Sequence, residues 1–125
     1  MPHIVLEYSD NLPALADFRA LFDDIHLTLN RIGGIKIENC KSRAYAASHC
    51  YIGDGNPDNA FIHLDVEFVE GRSDEVKRSI GHECLELLQR HYQLHLSETL
   101  QITVKIEDIA LDLYFKHPAG SLDYQ

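Results

Sequence analysis

Apolar and polar positions follow two periods along this chain, and the pair of periods occurs twice. From His3 to Tyr8 the residues alternate, with Ile4, Leu6 and Tyr8 on one side, which predicts a strand. Ser9, Asp10 and Asn11 then offer helix-capping side chains, and Pro13 suits a first helical turn. Leu15, Phe18, Phe22, Ile25, Leu29 and Ile32 step by threes and fours, the mark of a one-sided helix of about five turns. Gly33-Gly34 ends it by allowing a left-handed cap. After a connection over Ile35 to Asn39, Lys41 to Ile52 reads as a second strand, diluted by Ala and Ser. Gly53 to Asp58 is a turn cluster.

The second half repeats the scheme. Ile62, Leu64, Val66 and Phe68 alternate with His63, Asp65 and Glu67, so Phe61 to Val69 predicts a strand with one buried face. Ser73, Asp74 and Glu75 start a helix whose stripe runs through Val76, Ile80, Cys84, Leu87, Leu88 and His91, ending near His95-Leu96. Gln101 to Glu107 alternates again, and Leu113 to Lys116 reads as a short terminal strand.

Two βαβ units, about 1–58 and 59–125, therefore make one domain of α/β (α+β) class. Right-handed crossovers set the two strands of each unit parallel. The expected architecture is a four-stranded sheet with both helices on one face, plus the short C-terminal strand. Its other face stays uncovered, which points to self-association.

Composition narrows the classes of function. The net charge of −9 argues against a nucleic-acid footprint. Neither an apolar run long enough for a membrane span nor a leader pattern stands out, so a cytoplasmic protein without membrane contact is expected. Cys40, Cys50 and Cys84 are odd in number and irregularly spaced, as reduced thiols used mostly as small buried hydrophobes would be. His91 and His95 share a spacing that can chelate zinc, but no third ligand is marked, and no metal site is expected.

Pro2 has two readings. It is a residue that permits removal of Met1, or a cap on an edge strand where a missing N–H costs nothing. Alternatively, once Met1 is gone, it is a secondary amine carried directly into the fold. Burial and nearby cations lower the pKa of such an amine from the ordinary value of about 8 or above. With Met1 retained, the nitrogen is acylated and is no base. Of the eleven cations, Lys41, Arg43 and Arg72 lie at the ends of predicted elements, with Lys41 and Arg43 on one side of a strand and Arg72 before a helix N-terminus. Either they are solvated surface charges, or they surround that amine and hold a carboxylate.

Taken together, Met1-Pro2-His3, Lys41-Ser42-Arg43, Phe61-Ile62-His63-Leu64, Gly71-Arg72-Ser73, Ile106-Glu107 and Phe115-Lys116 resemble the 5-carboxymethyl-2-hydroxymuconate delta-isomerase family of the tautomerase superfamily. The resemblance spans essentially the whole chain. It implies a tautomerase-like homotrimer, a site at subunit boundaries with no cofactor, and a ketonisation in aromatic catabolism. In that reading Pro2 moves the proton, while Lys41, Arg43 and Arg72 hold the carboxylates of a small-molecule substrate and stabilise the enolate. The family pattern has arginine where this chain has Lys41, which keeps the charge but loses the planar fork and puts the substrate in question. Three other readings stand beside it: a phenylpyruvate-type tautomerase, a dehalogenase or hydratase on an unsaturated acid, and a non-catalytic trimeric binding protein.

Overall fold

A computed structural model describes residues 1–13 and 17–118. Its elements are β1 (His3–Ser9), α1 (Phe18–Gly33), β2 (Lys41–Ala47), β3 (Ala60–Val69), α2 (Asp74–His91) and β4 (Leu100–Ile109), with short 3₁₀ turns at Ile37–Asn39, Gln93–His95 and Leu111–Leu113. The sheet order is β2-β1-β3-β4. β1 runs parallel to β2, β3 runs parallel to β4, and the two units meet in an antiparallel β1–β3 pair. This is the tandem repeat read from the sequence, with Leu6 opposite Leu64 at its centre.

The alternation decides which face is buried. Ile4, Leu6, Ile62, Leu64, Val66 and Phe68 are fully buried, and against them pack Leu21, Ile25 and Leu29 of α1 and Ile80, Cys84 and Leu88 of α2. The helices are tied to each other by His91 Nε2 and Asp24 at 2.9 Å and by Arg31 and Glu83 at 3.3 Å. The opposite face of the sheet is polar. There Lys105 bridges Asp65 at 3.6 Å and Glu107 at 2.9 Å, and His63 sits 3.0 Å from Asp65.

Several boundaries differ from the expectation. α1 starts at Phe18 because Asp17 is its cap, accepting from the Ala20 N–H at 3.2 Å. Pro13 precedes the helix, and Leu15 lies outside the described residues. Gly34, at φ 66, ends α1 with its N–H on the Asn30 carbonyl. β2 stops at Ala47 rather than Ile52, because β1, the strand it pairs with among the described residues, ends at Ser9 opposite Ala47. Beyond that point side chains replace the ladder: Asn59 Nδ2 donates to the Ile52 carbonyl at 2.9 Å and to Asp54 at 3.0 Å. α2 ends at His91, before buried Tyr92, so His91 and His95 do not share a helix face.

The expected terminal strand over Leu113 to Lys116 is absent. Leu111–Leu113 forms a 3₁₀ turn, and Tyr114 is captured by a side chain of β1 instead of a strand edge. Of the three thiols, Cys84 is buried, Cys40 half-buried and Cys50 exposed, the last because it falls in the loop that β2 does not reach. No helix among the described residues is long and apolar enough to cross a membrane.

Candidate active site

Two registers assemble one corner of the sheet. His3 pairs with Lys41 in the parallel ladder and with Glu67 in the antiparallel one. The start of β1, the start of β2 and the end of β3 therefore meet at a single edge. The ladder continues one residue outward, where the Lys41 N–H donates to the Pro2 carbonyl at 3.1 Å. Pro2 is buried, and the Met1 side chain is fully buried beside it.

Arg72 reaches this edge from the turn after β3. Its Nε donates to the Gly33 carbonyl at 2.7 Å and its Nη1 to the Val69 carbonyl at 3.3 Å, while the guanidinium lies 5.3 Å above the Phe68 ring. The sequence places Arg72 before the N-terminus of α2, but its head group turns to the C-terminal end of α1, where carbonyl groups favour a cation. Gly33 permits the approach, since a Cβ there would stand 3.4 Å from Arg72 Nε and 3.2 Å from Ile80.

The terminal amine carries the electrostatic consequence. Its pKa falls from 8.0 to about 5, first because burial disfavours the charged form, then because Lys41, and with it Lys116 and Arg72, repel a proton there; Cys40 opposes them. Burial pushes the Cys40 thiol itself up to about 11, so at neutral pH it is a thiol beside the amine and no nucleophile. Lys41 Nζ donates to the Asn39 carbonyl at 2.9 Å.

Arg43 is placed differently. Two positions further along β2, its Nη1 approaches His3 Nδ1 at 3.0 Å, on the uncovered side of the sheet. A guanidinium can only donate, so Nδ1 accepts and the ring proton sits on Nε2, 2.8 Å from the Tyr114 hydroxyl. Burial first, then Arg43, Lys41 and the amine, lower the pKa of His3. Lys41 and Arg72 thus both act on the terminal amine next to Pro2, while Arg43 contacts His3.

Sequence reasoning missed Lys116 and Tyr114. A signal exists for Lys116: it ends the predicted strand Leu113 to Lys116, the same element-end position that singles out Lys41 and Arg72.

A groove of about 680 Å³ between α1 and β2 opens onto Lys41 and Cys40 and contains His26, whose Nε2 lies 2.7 Å from Ser42 Oγ. A second groove, about 470 Å³ between α2 and β4, does not include the N-terminal edge. Among the described residues no group of three or more His, Cys, Asp or Glu side chains is arranged to hold a metal ion. The chemistry on offer at the edge is that of an uncharged amine at neutral pH flanked by fixed cations. Such a pair moves a proton next to a carbonyl and stabilises the oxyanion that forms.

Known proteins resemble this chain in sequence and in fold. The family model described as 5-carboxymethyl-2-hydroxymuconate isomerase matches residues 2–120. The 5-carboxymethyl-2-hydroxymuconate Delta-isomerase of Escherichia coli is 32% identical over 117 residues, 93% of this chain and 93% of that protein. The crystal structure of a 5-carboxymethyl-2-hydroxymuconate isomerase from Deinococcus radiodurans R1 superposes with a TM-score of 0.82 at 29% identity, covering 92% of this chain and 87% of the other. A fused 4-OT symmetric trimer shares the fold, with a TM-score of 0.68 at 16% identity over 95% and 94% of the two chains.

Proposed function

Because the chain belongs to the 5-carboxymethyl-2-hydroxymuconate isomerase family of the tautomerase superfamily, and is an isomerase, we propose that it ketonises 5-carboxymethyl-2-hydroxymuconate or a similar unsaturated di- or tricarboxylic enol, with Pro2 as acid and base. The observation that carries this reading is the buried terminal amine beside Lys41 and Arg72, held at about 5.

In the chain described here that amine belongs to Met1. Removing Met1 makes Pro2 the terminus, about 3.8 Å along the backbone, within the same burial and the same cations. A secondary amine starts somewhat higher than a primary one, so the same influences bring it toward neutrality. Trimming also vacates the buried space that the Met1 side chain fills next to Pro2.

The reaction then needs one nitrogen. Pro2 takes the enol hydroxyl proton, the charge spreads along the conjugated chain, and the same nitrogen returns the proton to carbon, leaving the keto isomer. Lys41 and Arg72 hold carboxylates and the developing oxyanion. Arg43, on the uncovered side of the sheet, reaches a carboxylate bound at a boundary with a second copy. No redox or Lewis-acid step enters this scheme, so it calls for no cofactor.

A homotrimer completes the proposal. The exposed Leu113 and Phe115 beside the N-terminal edge support it, as do the trimeric 4-OT structures of the same fold. The free thiols suit a cytoplasmic enzyme of aromatic catabolism.

An ultraviolet assay separates this function from its neighbours. Turnover of the dienol tricarboxylate with a kcat/KM well above that for the enol of phenylpyruvate is the expected result. The reverse preference would assign a phenylpyruvate-type tautomerase, and inactivity on both would leave a dehalogenase or hydratase, or a binding protein.

A further inference from the structure

The segment after β4 has no part in the mechanism above, yet it is fastened to the N-terminal edge at both ends. At its start the Glu70 N–H donates to the Ile109 carbonyl at 2.9 Å, and the Glu70 carboxylate accepts from the Leu111 N–H at 2.7 Å. Further on, His3 Nε2 donates to the Tyr114 hydroxyl at 2.8 Å, and the two rings meet edge-on with centroids 6.0 Å apart. His3 is the residue directly after Pro2, and Arg43 fixes its ring from the other side.

The backbone between these points decides where the next side chains go. Tyr114 has extended dihedrals, φ −115 and ψ 118, so neighbours on either side of it alternate. Burial follows the alternation: Leu113 and Phe115 are 73% and 87% exposed, whereas Tyr114 and Lys116 are half-buried. Lys116 therefore shares the inward side with Tyr114. Two residues span at most about 7 Å, which keeps it close to the His3–Pro2 corner. Its charge is felt by the terminal amine in the same direction as that of Lys41.

We propose that Tyr114, latched to His3, holds Lys116 at the Pro2 end of β1, where Lys116 binds a substrate carboxylate beyond those that Lys41 and Arg72 engage. Lys116 is then a specificity residue for polycarboxylates, and Tyr114 and His3 are positioning residues. The choice of a polycarboxylate rests on the function proposed above.

Calorimetric titration of the Met1-free chain with propane-1,2,3-tricarboxylate and with propionate tests this without requiring turnover. Lys116→Ala weakens the tricarboxylate about tenfold, the scale of one lost charge-assisted contact, and leaves propionate within about twofold; Lys116→Arg restores it. Tyr114→Phe weakens the tricarboxylate in the same sense, with no further loss when added to Lys116→Ala. In the dienol assay the same variants raise KM with kcat unchanged. The inference is overturned if Lys116→Ala loses nothing, loses equally on both probes, or adds fully to Tyr114→Phe. It is overturned equally if the parent binds no tricarboxylate. A parent that binds the tricarboxylate in this pattern but ketonises no dienol contradicts the proposed function and leaves the role of Lys116 standing.

Discussion

With burial and three cations acting on it, the terminal amine gives up its proton at about 5 instead of 8.0, and the sign of that displacement sets two expectations. Between those values the unfolded chain binds a proton that the folded chain does not, so in the Met1-bearing chain this group makes stability rise with pH from about 5 to 8 and fall as pH drops back. Urea unfolding at both ends of that window, with an N-acetylated chain as control, measures it; acetylation removes the rise due to this group. In the Met1-free enzyme the proposed Pro2 base would work unprotonated, so kcat/KM is expected to climb from acid and level off. Lys41→Ala removes a repelling charge, and the acid limb of the pH–rate profile moves to higher pH. Two effects are expected of Arg72 at this scale, one on the proposed chemistry and one on stability. Arg72→Ala lowers kcat/KM by about 10²–10³ through lost oxyanion stabilisation, and also costs about 1.5–3 kcal/mol in urea because the Gly33 and Val69 carbonyls lose a charged donor. Lys41 and Arg72 stood out in the sequence by lying at element ends. What His3 and Tyr114 do could not be read there, because their contact spans 111 positions and depends on where the last turn sends the chain.

Among the elements, the strands that alternate most regularly were the most legible. β3 and β4 fell within three residues of their expected bounds, because each is paired along its whole length. β2 was overextended: an edge strand is only as long as its neighbour, and the length of β1 is not written in β2. The segment after β4 shows the same point, since extended backbone at Tyr114 became a latch when no ladder was at hand. The antiparallel centre of the sheet is where element packing is most sensitive. Leu64 is fully buried opposite Leu6, and Leu64→Ala lowers stability by about 2–5 kcal/mol in urea unfolding. Gly34→Ala, at φ 66, costs about 1 kcal/mol, with the loss confined to the α1 cap.

At the scale of the whole molecule, the tandem repeat buries one sheet face under two helices and leaves the other polar. The sequence showed this asymmetry through its alternation, but not which residues of a second copy would complete the proposed site. A homotrimer sediments as three copies of the 14.3 kDa chain. Val5→Asp on the uncovered face shifts it toward monomers and lowers kcat/KM in parallel. A wild-type chain that sediments as a monomer at full activity contradicts the shared site. The proton transfer proposed for this edge depends on the nitrogen of Pro2 being a free amine. The most direct measurement is the rate of dienol ketonisation by the chain prepared with and without Met1, each verified by intact mass. The Met1-free chain is expected to be faster by about 10²–10⁴, the scale of general acid–base help. Equal rates from the two chains would contradict the proline mechanism.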